Sequence, residues 1–253
     1  MEDILTSNVF GALKYLQPNE GLLPFLAHAR AGGSLPFADF VGRNPKITYQ
    51  KFWPWHEQKG CNGCEPDVEI HLQFADGKKF IFFIEAKYRS GKSSEECDEE
   101  VLDAEPKPPI DQLAREWHNL ILLAKERGAT PKLVYLTAGV ENPHKDIEAS
   151  SEAFASKCPG DVQAFDCAWL SWRHLAQSMH KSSGPIQCDV LDMLEKLNLT
   201  FYRGIPHFPQ FTVGDWRFET ERHAIQRNKV PTRSDKFGWS FDVTLDLNWR
   251  FSA

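Results

Sequence analysis

The chain has 253 residues, of which 42% are apolar and 12% aromatic, with a formal net charge of -6 at pH 7. This composition excludes a disordered tail or a disulfide-held miniprotein, and the length suffices for one large domain or two small ones. The longest apolar runs, 80–84 and 120–124, fall far short of the about 20 residues that span a membrane. Because no leader-like segment opens the chain, we expect no membrane partner and a cytoplasmic protein whose six cysteines are thiols.

The negative charge is concentrated in one segment. Residues 95–105 contain seven acidic residues and no basic one, so the other 242 residues carry 28 acidic residues against 29 basic ones. A nearly neutral body with one acidic run leaves binding to a polyanion open, because local clusters of Lys and Arg matter more than the sum.

The first half of the chain predicts a helix and three strands. Apolar residues have helical spacing over 4–16, and 46–53 has the composition of a strand. Apolar and polar residues alternate over 68–74, which is typical of a half-buried strand. The run 80–84 is continuously apolar, which predicts a central strand covered on both faces.

The following elements indicate an α/β fold. The spacing over 110–124 predicts a helix that ends at Gly128, and 133–137 predicts the next strand. A strand, a helix and a strand in that order form a right-handed crossover between parallel strands. Together with the hairpin before them, they predict a mixed sheet flanked by helices.

The rest of the chain predicts two more helices and a second region. Helices are expected over 172–181 and 186–197, and strict alternation over 237–251 predicts a long strand with one buried face. We therefore expect an α/β core over 1–200 and a β-rich C-terminal extension over 201–253 that packs on the core.

The hairpin between 68–74 and 80–84 decides which polar residues meet. A three-residue loop that ends in a left-handed Gly77 pairs Val68 with Ile84, and matching of the apolar residues selects this register. The register places Asp67 opposite Glu85, on one face with Lys87. Two carboxylates so close repel each other, and a bound cation relieves the repulsion. Their oxygens suit Mg²⁺ or Mn²⁺. Such a metal ion offsets charge on a phosphate and acidifies a bound water.

These residues resemble a known superfamily. Pro66-Asp67, followed one hairpin later by Glu85-Ala86-Lys87, is similar to the motif of the PD-(D/E)xK nucleases, which have the restriction-endonuclease-like fold. The resemblance covers roughly 4–137. It implies that Asp67, Glu85 and the Ala86 carbonyl bind the metal and that Lys87 orients or deprotonates the water. The positions that match two further residues of the family are Glu2, for which Glu20 is the competitor, and Gln112.

The resemblance implies a metal-dependent nuclease that hydrolyses phosphodiester bonds, with DNA as the first choice of substrate, in restriction, repair or defence against phage. The sequence leaves open whether the chain forms a homodimer or binds a partner protein. One alternative is a nucleic-acid-binding module of the same fold without activity. In another, Asp67 is a polar edge residue and Glu85 and Lys87 only flank a buried strand.

Other motifs allow further readings. Residues 86–93 satisfy a relaxed phosphate-loop pattern, but its first position is Ala. The one acidic residue that could bind the metal of such a site is Asp166, at the end of a weak predicted strand over 162–166. Cys61 and Cys64 have the spacing of a zinc knuckle without a second pair, which favours an ordinary loop. Six basic residues with interleaved aromatics over 217–236 suggest contacts to nucleic acid or a solvated loop. The acidic run 95–105 follows Lys87 closely, so we expect it to gate the site.

Overall fold

The computed structural model describes residues 2–59, 61–88, 111–158, 163–179 and 184–201. All of these lie in one compact unit, Met1–Gly204. The expected β-rich extension, the acidic run and the basic cluster lie outside the described residues, as does most of the phosphate-loop pattern.

The described chain folds into six α-helices and five strands. The helices are α1 (Glu2–Leu13), α2 (Leu22–Leu26), α3 (Gln112–Arg127), α4 (His144–Lys157), α5 (Trp172–Ser178) and α6 (Pro185–Lys196). The strands are β1 (Lys46–Phe52), β2 (Val68–Gln73), β3 (Lys79–Lys87), β4 (Thr130–Thr137) and β5 (Cys167–Ser171). Short 3₁₀ turns over Pro18–Glu20 and Ala38–Phe40 complete the N-terminal part.

The five strands form one mixed sheet in the order β1-β2-β3-β4-β5. The β1–β2 and β2–β3 pairs are antiparallel, whereas β4 runs parallel to both β3 and β5. Helix α3 forms the crossover between β3 and β4. The prediction of an α/β fold with a mixed sheet flanked by helices is confirmed.

The hairpin has the register that matching of apolar residues selects. Val68 pairs with Ile84 and Leu72 with Phe80, and Gly77 has a φ of 84°, which is the left-handed conformation that this turn needs. Continued by one position, the register brings Asp67 opposite Glu85. The predicted pairing of the two strands and the predicted left-handed conformation of Gly77 are both confirmed.

Each face of the sheet is covered by its own layer of helices. Apolar side chains of β2 and β3, such as Ile70 and Phe82, pack in one core with α1, α2, α5 and α6. On the other face, Ile81 and Phe83 pack against the apolar side of α3 and against Phe154 of α4. The odd-numbered polar residues of the hairpin lie on this second face, under α3.

Two expectations about elements are wrong, and one helix was missed. Strand β2 is not half-buried, because Glu69 on its polar side is only 3% exposed. The fifth strand is β5 and not 162–166, so Asp166 precedes the strand instead of ending it. The sequence patterns also gave no indication of α4, in which Ser150 and Phe154 are the buried residues.

Within the described ranges, no helix is long and apolar enough to cross a membrane.

Candidate active site

The five side chains proposed from the sequence come from four elements that meet at one end of the sheet. Glu85 and Lys87 end β3, Asp67 directly precedes β2, Glu2 begins α1 and Gln112 begins α3. The two strands bring their residues together through the hairpin register. The two helices begin at this end of the sheet, so the first residue of each reaches the strand residues.

Glu85 is the centre of the hydrogen-bond network. Its Oε1 accepts from Lys87 Nζ at 2.6 Å and from Gln112 Nε2 at 2.6 Å. Glu85 is 2% exposed, so both bonds lie away from water. Charge-assisted hydrogen bonds of this kind are the strong ones, and they fix the orientation of the carboxylate.

Asp67 is held from two sides. Its Oδ2 accepts a hydrogen bond from the Ala86 backbone N–H at 2.7 Å, and its Oδ1 accepts one from Trp53 Nε1 at 3.2 Å. Burial and the neighbouring Glu85 carboxylate raise the pKa of Asp67 to about 7, against the opposing effects of Ala86 and Lys87. Near neutral pH, Asp67 therefore exchanges between its charged and its neutral form.

Glu2, and not its competitor Glu20, belongs to this site. Glu2 Oε2 accepts from the Tyr88 backbone N–H at 2.7 Å, and Oε1 lies 3.6 Å from Lys87 Nζ. Glu20 instead accepts a hydrogen bond from the backbone N–H of Gln17 at 3.3 Å, at the start of a 3₁₀ turn. The first helix thus contributes a second carboxylate to Lys87.

Sequence reasoning missed a sixth site residue, Glu116. It follows Gln112 by one turn on the same face of α3, is 1% exposed and forms a side-chain hydrogen bond with Glu85. Burial, followed by the charge of Glu85 and this hydrogen bond, raises the pKa of Glu116 well above its ordinary value. The i, i+4 spacing from Gln112 is the signal that points to it.

The buried charges of the site do not balance. In the described part of the chain, the buried carboxyls Asp67, Glu85 and Glu116 face one buried ammonium, Lys87. Burial lowers the pKa of Lys87, but the charge of Glu85 and its hydrogen bond raise it further, so the pKa lies above its ordinary value. Lys87 therefore stays protonated at neutral pH, and the raised pKa values of Asp67 and Glu116 favour their neutral forms, which lowers the excess negative charge.

A second polar cluster lies on the same face, two residues along β2, and was also missed. The Glu69 carboxylate contacts His56 Nε2 at 3.0 Å and His71 Nε2 at 2.6 Å. Burial raises the pKa of Glu69, but the hydrogen bonds from both histidines outweigh it and lower the pKa to about 2. This carboxylate is satisfied within the fold and fastens His56, and with it the 53–66 segment, to the sheet.

The 53–66 segment is also fastened to α3. Asn119 is fully buried, and its side chain accepts from the Gln58 backbone N–H at 2.9 Å and donates to the Asn62 carbonyl at 2.8 Å. His56 and Cys64 exchange two backbone hydrogen bonds of 2.8 Å across the segment. The described residues of this segment, 53–59 and 61–66, are therefore a fixed part of the site.

The donor set has the chemistry that Mg²⁺ or Mn²⁺ prefers. It consists of carboxylate oxygens, and Glu116 Oε2 is buried without a hydrogen-bond partner among the described residues. The arrangement as it stands is closed by hydrogen bonds, and no three His, Cys, Asp or Glu side chains in the described ranges are placed to hold a metal ion. A cation at Asp67 and Glu85 would replace the protons and part of the Lys87 contact.

The structure gives little support to the zinc-knuckle and phosphate-loop interpretations of the sequence. Cys61 and Cys64 are free thiols, and burial raises the pKa of the Cys61 thiol to about 12 and raises that of Cys64 as well. Both therefore stay protonated, which suits an ordinary loop. Ala86 and Lys87, the first residues of the phosphate-loop pattern, lie inside β3, and Asp166 does not end a strand. The phosphate-loop alternative loses its metal-binding acid.

No family model, no curated protein and no solved structure matches this chain. The comparisons therefore leave the resemblance to PD-(D/E)xK nucleases as a prediction from the sequence, and the function has to be argued from the geometry of the site.

Proposed function

We propose that this chain is a metal-dependent phosphodiesterase of the restriction-endonuclease-like fold that acts on nucleic acid, with DNA as the first choice. The observation that carries the proposal is the excess of buried carboxyls at the end of β3, where Asp67, Glu85 and Glu116 share one buried ammonium. Buried like charges cost stability, and proteins keep them where they bind cations or substrates. An antiparallel hairpin followed by a parallel crossover suits the proposed fold.

The roles of the residues follow from their contacts. Asp67, Glu85 and the Ala86 carbonyl would hold the metal, with Glu116 as a further oxygen donor and Glu2 across Lys87. When bound, Mg²⁺ offsets charge on the phosphate and acidifies a water for hydrolysis of a P–O bond. Lys87, held between Glu85 and Glu2, presents a permanent positive charge to a phosphate and orients water by donating hydrogen bonds. Its raised pKa makes it a donor rather than a base.

Gln112 has a supporting role. Its amide N–H bonds to the same Glu85 oxygen as Lys87, which fixes the carboxylate in one orientation. Residues that orient metal ligands typically change metal affinity or activity by about 10–100-fold when they are removed. Free cysteine thiols suit the cytoplasm, where we place this activity.

A nucleic-acid-binding module without activity is the second candidate. The observation in its favour is the closed network, in which Lys87 and Gln112 occupy the Glu85 oxygen that a metal would take. In an active enzyme a cation at this oxygen has to displace part of the Lys87 contact and share the oxygen with Gln112, whereas a silent module has no need to open the network.

One experiment separates the candidates. Plasmid DNA, single-stranded DNA and RNA are incubated with the protein in Mg²⁺, Mn²⁺ or EDTA, and ATP binding is titrated in parallel. The proposal predicts cleavage that requires the metal. Binding of nucleic acid without cleavage in either metal favours the silent module, and tight ATP binding with no cleavage favours the phosphate-loop alternative.

A further inference from the structure

Two exposed tryptophans lie next to the carboxylate centre. Trp53 directly follows β1 and is 37% exposed, and Trp55, two residues later, is 63% exposed. Two residues of chain reach at most about 7 Å, so the backbones of the two tryptophans lie within that distance of each other. We call Trp53 and Trp55 the tryptophan pair. Large aromatic side chains at the surface are typical of contact sites, because their exposure to water is unfavourable.

Trp53 is fixed to the proposed site by two contacts. Its backbone N–H donates to the Asp67 carbonyl at 3.2 Å, and its indole N–H donates to Asp67 Oδ1 at 3.2 Å. Its φ is 47°, in the left-handed region that a bulky residue rarely adopts. The surrounding structure therefore imposes this conformation, as is common at functional sites.

Trp55 is supported on one side and open on the other. A Cβ added to Gly63 would lie 2.2 Å from Trp55 Cζ2 and 2.6 Å from Cη2, so the six-membered ring of the indole rests on the glycine. Pro54, between the tryptophans, is buried and holds a fixed φ. The exposed indole surface is thus held in place before any partner arrives.

We infer that the tryptophan pair stacks on unpaired nucleobases and makes single-stranded nucleic acid the substrate of the neighbouring carboxylate centre. This inference rests on the proposed function, since the site next to the pair is the one that would receive the phosphodiester. Every base has an aromatic face, so stacking on aromatic side chains binds single strands with little sequence preference. In a duplex these faces are covered by neighbouring bases.

Charge supports stacking rather than a backbone contact at this point. The segment 51–66 carries two lysines, Lys51 and Lys59, and two glutamates, Glu57 and Glu65, so its formal charge is zero. A neutral segment contributes little to the salt-dependent attraction of phosphates. The affinity that the tryptophan pair contributes should therefore hardly change with salt concentration.

The test measures binding by fluorescence anisotropy in EDTA, where metal-dependent cleavage does not interfere. The probes are a labelled dT 16-mer, a U 16-mer, a 16-base-pair duplex and an abasic 16-mer. Trp55→Ala should weaken dT 16-mer binding about 5- to 140-fold, the range for loss of one stacked base, by the same factor at 50 and 200 mM salt. Trp55→Phe should recover most of it. Tyr15→Ala removes a 79% exposed ring just beyond the end of α1, whose last residue, Leu13, lies about 17 Å along the helix from Glu2; it is the matched control and should bind as wild type.

The abasic strand keeps the test valid if Trp55→Ala fails to fold, because it removes the stacking partner from the ligand instead of the protein. Wild type should bind it at least as weakly as Trp55→Ala binds the dT 16-mer, because the abasic strand has no base to stack on either tryptophan. If the dT 16-mer binds more tightly than the U 16-mer, the preferred single strand is DNA, and if the U 16-mer binds more tightly, it is RNA. Equal affinity for abasic and dT strands, equal losses on duplex and single strand, or no binding to wild type overturns the inference. If one of these results is obtained but metal-dependent cleavage is observed, the inference fails and the proposed nuclease function is still supported. If stacking is observed without cleavage, the binding of single strands is supported and the proposed nuclease function fails.

Discussion

The two faces of the β2–β3 hairpin are both buried at the end that carries Asp67 and Glu85, and they differ in chemistry there, whereas Gln73 and Lys79 at the turn end of the second face are exposed. On the face towards α1, α2, α5 and α6, the hairpin contributes only apolar side chains, including Val68, Ile70, Phe82 and Ile84. On the face towards α3, the same two strands contribute buried carboxyls and Lys87 next to Ile81 and Phe83. A fold that can bury one face with apolar residues alone has no structural need for charges on the other.

The contrast teaches where stability and function lie in this molecule. The apolar face gains free energy from burial and close packing. The polar face has to satisfy each buried group, and it does so for Glu69 through two histidines but leaves Asp67 and Glu116 with raised pKa values. Substitutions on the two faces should therefore have different consequences, and the following predictions use that difference.

The largest expected effect is on the apolar face. Phe82 is fully buried, and its ring centre lies 5.3 Å from that of Phe37. Phe82→Ala leaves a cavity and should lower the free energy of unfolding by about 3–5 kcal/mol, as measured by urea denaturation. Metal-dependent cleavage per folded molecule should stay within a few fold of wild type. A folded Phe82→Ala protein without cleavage would show that the faces are not separable.

The next effect is on activity. Asp67→Asn keeps the shape of the side chain and mimics its neutral form, but it removes a proposed metal ligand, so cleavage should fall by about 100-fold or more. Because the folded-state pKa of Asp67 is raised to about 7, ionisation costs stability as the pH rises from about 4 through 7. The variant avoids this cost but accepts only one of the two hydrogen bonds that Asp67 accepts, so in EDTA its melting temperature should fall less than that of wild type as the pH rises from 5 to 8. Wild-type cleavage by a folded Asp67→Asn protein would remove Asp67 from the site.

A smaller effect concerns Glu69, a polar-face residue that the fold itself satisfies. Glu69→Gln should lower stability by about 1–3 kcal/mol, because a buried hydrogen-bonded charge is lost. The folded-state pKa of Glu69 is about 2 against an ordinary value of 4.5, so its contribution is complete above about pH 4.5 and disappears as the pH falls through 2. The variant should therefore show a flatter loss of stability over this window. Glu126→Gln, an exposed residue of α3, is the control and should match wild type.

The smallest effect tests the support under the tryptophan pair. Gly63→Ala places a methyl group against the Trp55 ring, which has to move, so binding of the dT 16-mer should weaken by a few fold and less than in Trp55→Ala. Gly33→Ala is the matched control, because a Cβ there meets no atom within 4 Å. Identical anisotropy titrations for the two glycine variants would mean that the position of the Trp55 ring does not matter for binding.

The sequence predicts the hairpin because its apolar residues match in only one register. The resemblance to the PD-(D/E)xK nucleases, rather than a local pattern, implies Glu2 and Gln112, which match residues that the family carries on a helix near the N-terminus and on the helix after the motif. The sequence does not predict α4, because Ser150 and Phe154 are the buried residues of the helix and this is too few for a helical pattern. Strand β5 is buried along its whole length, so no alternation marks its position.

The missed site residues share one physical reason. Glu116 and Glu69 are charged residues, and charge in a sequence is normally a sign of solvent exposure. Their burial depends on partners that are distant in the chain, which are Glu85 for the first residue and His56 for the second. Such partners are brought together by the tertiary fold and leave no local pattern.

The most direct measurement of the account is calorimetric titration of Mn²⁺ into the protein at pH 7.5 without nucleic acid. If the excess carboxyls at Asp67, Glu85 and Glu116 form a cation site as proposed, Mn²⁺ should bind saturably to wild type and to Glu126→Gln. Its affinity for Glu85→Gln should be at least about tenfold weaker. Equal Mn²⁺ affinity for wild type and Glu85→Gln, or no binding to wild type, would contradict the account.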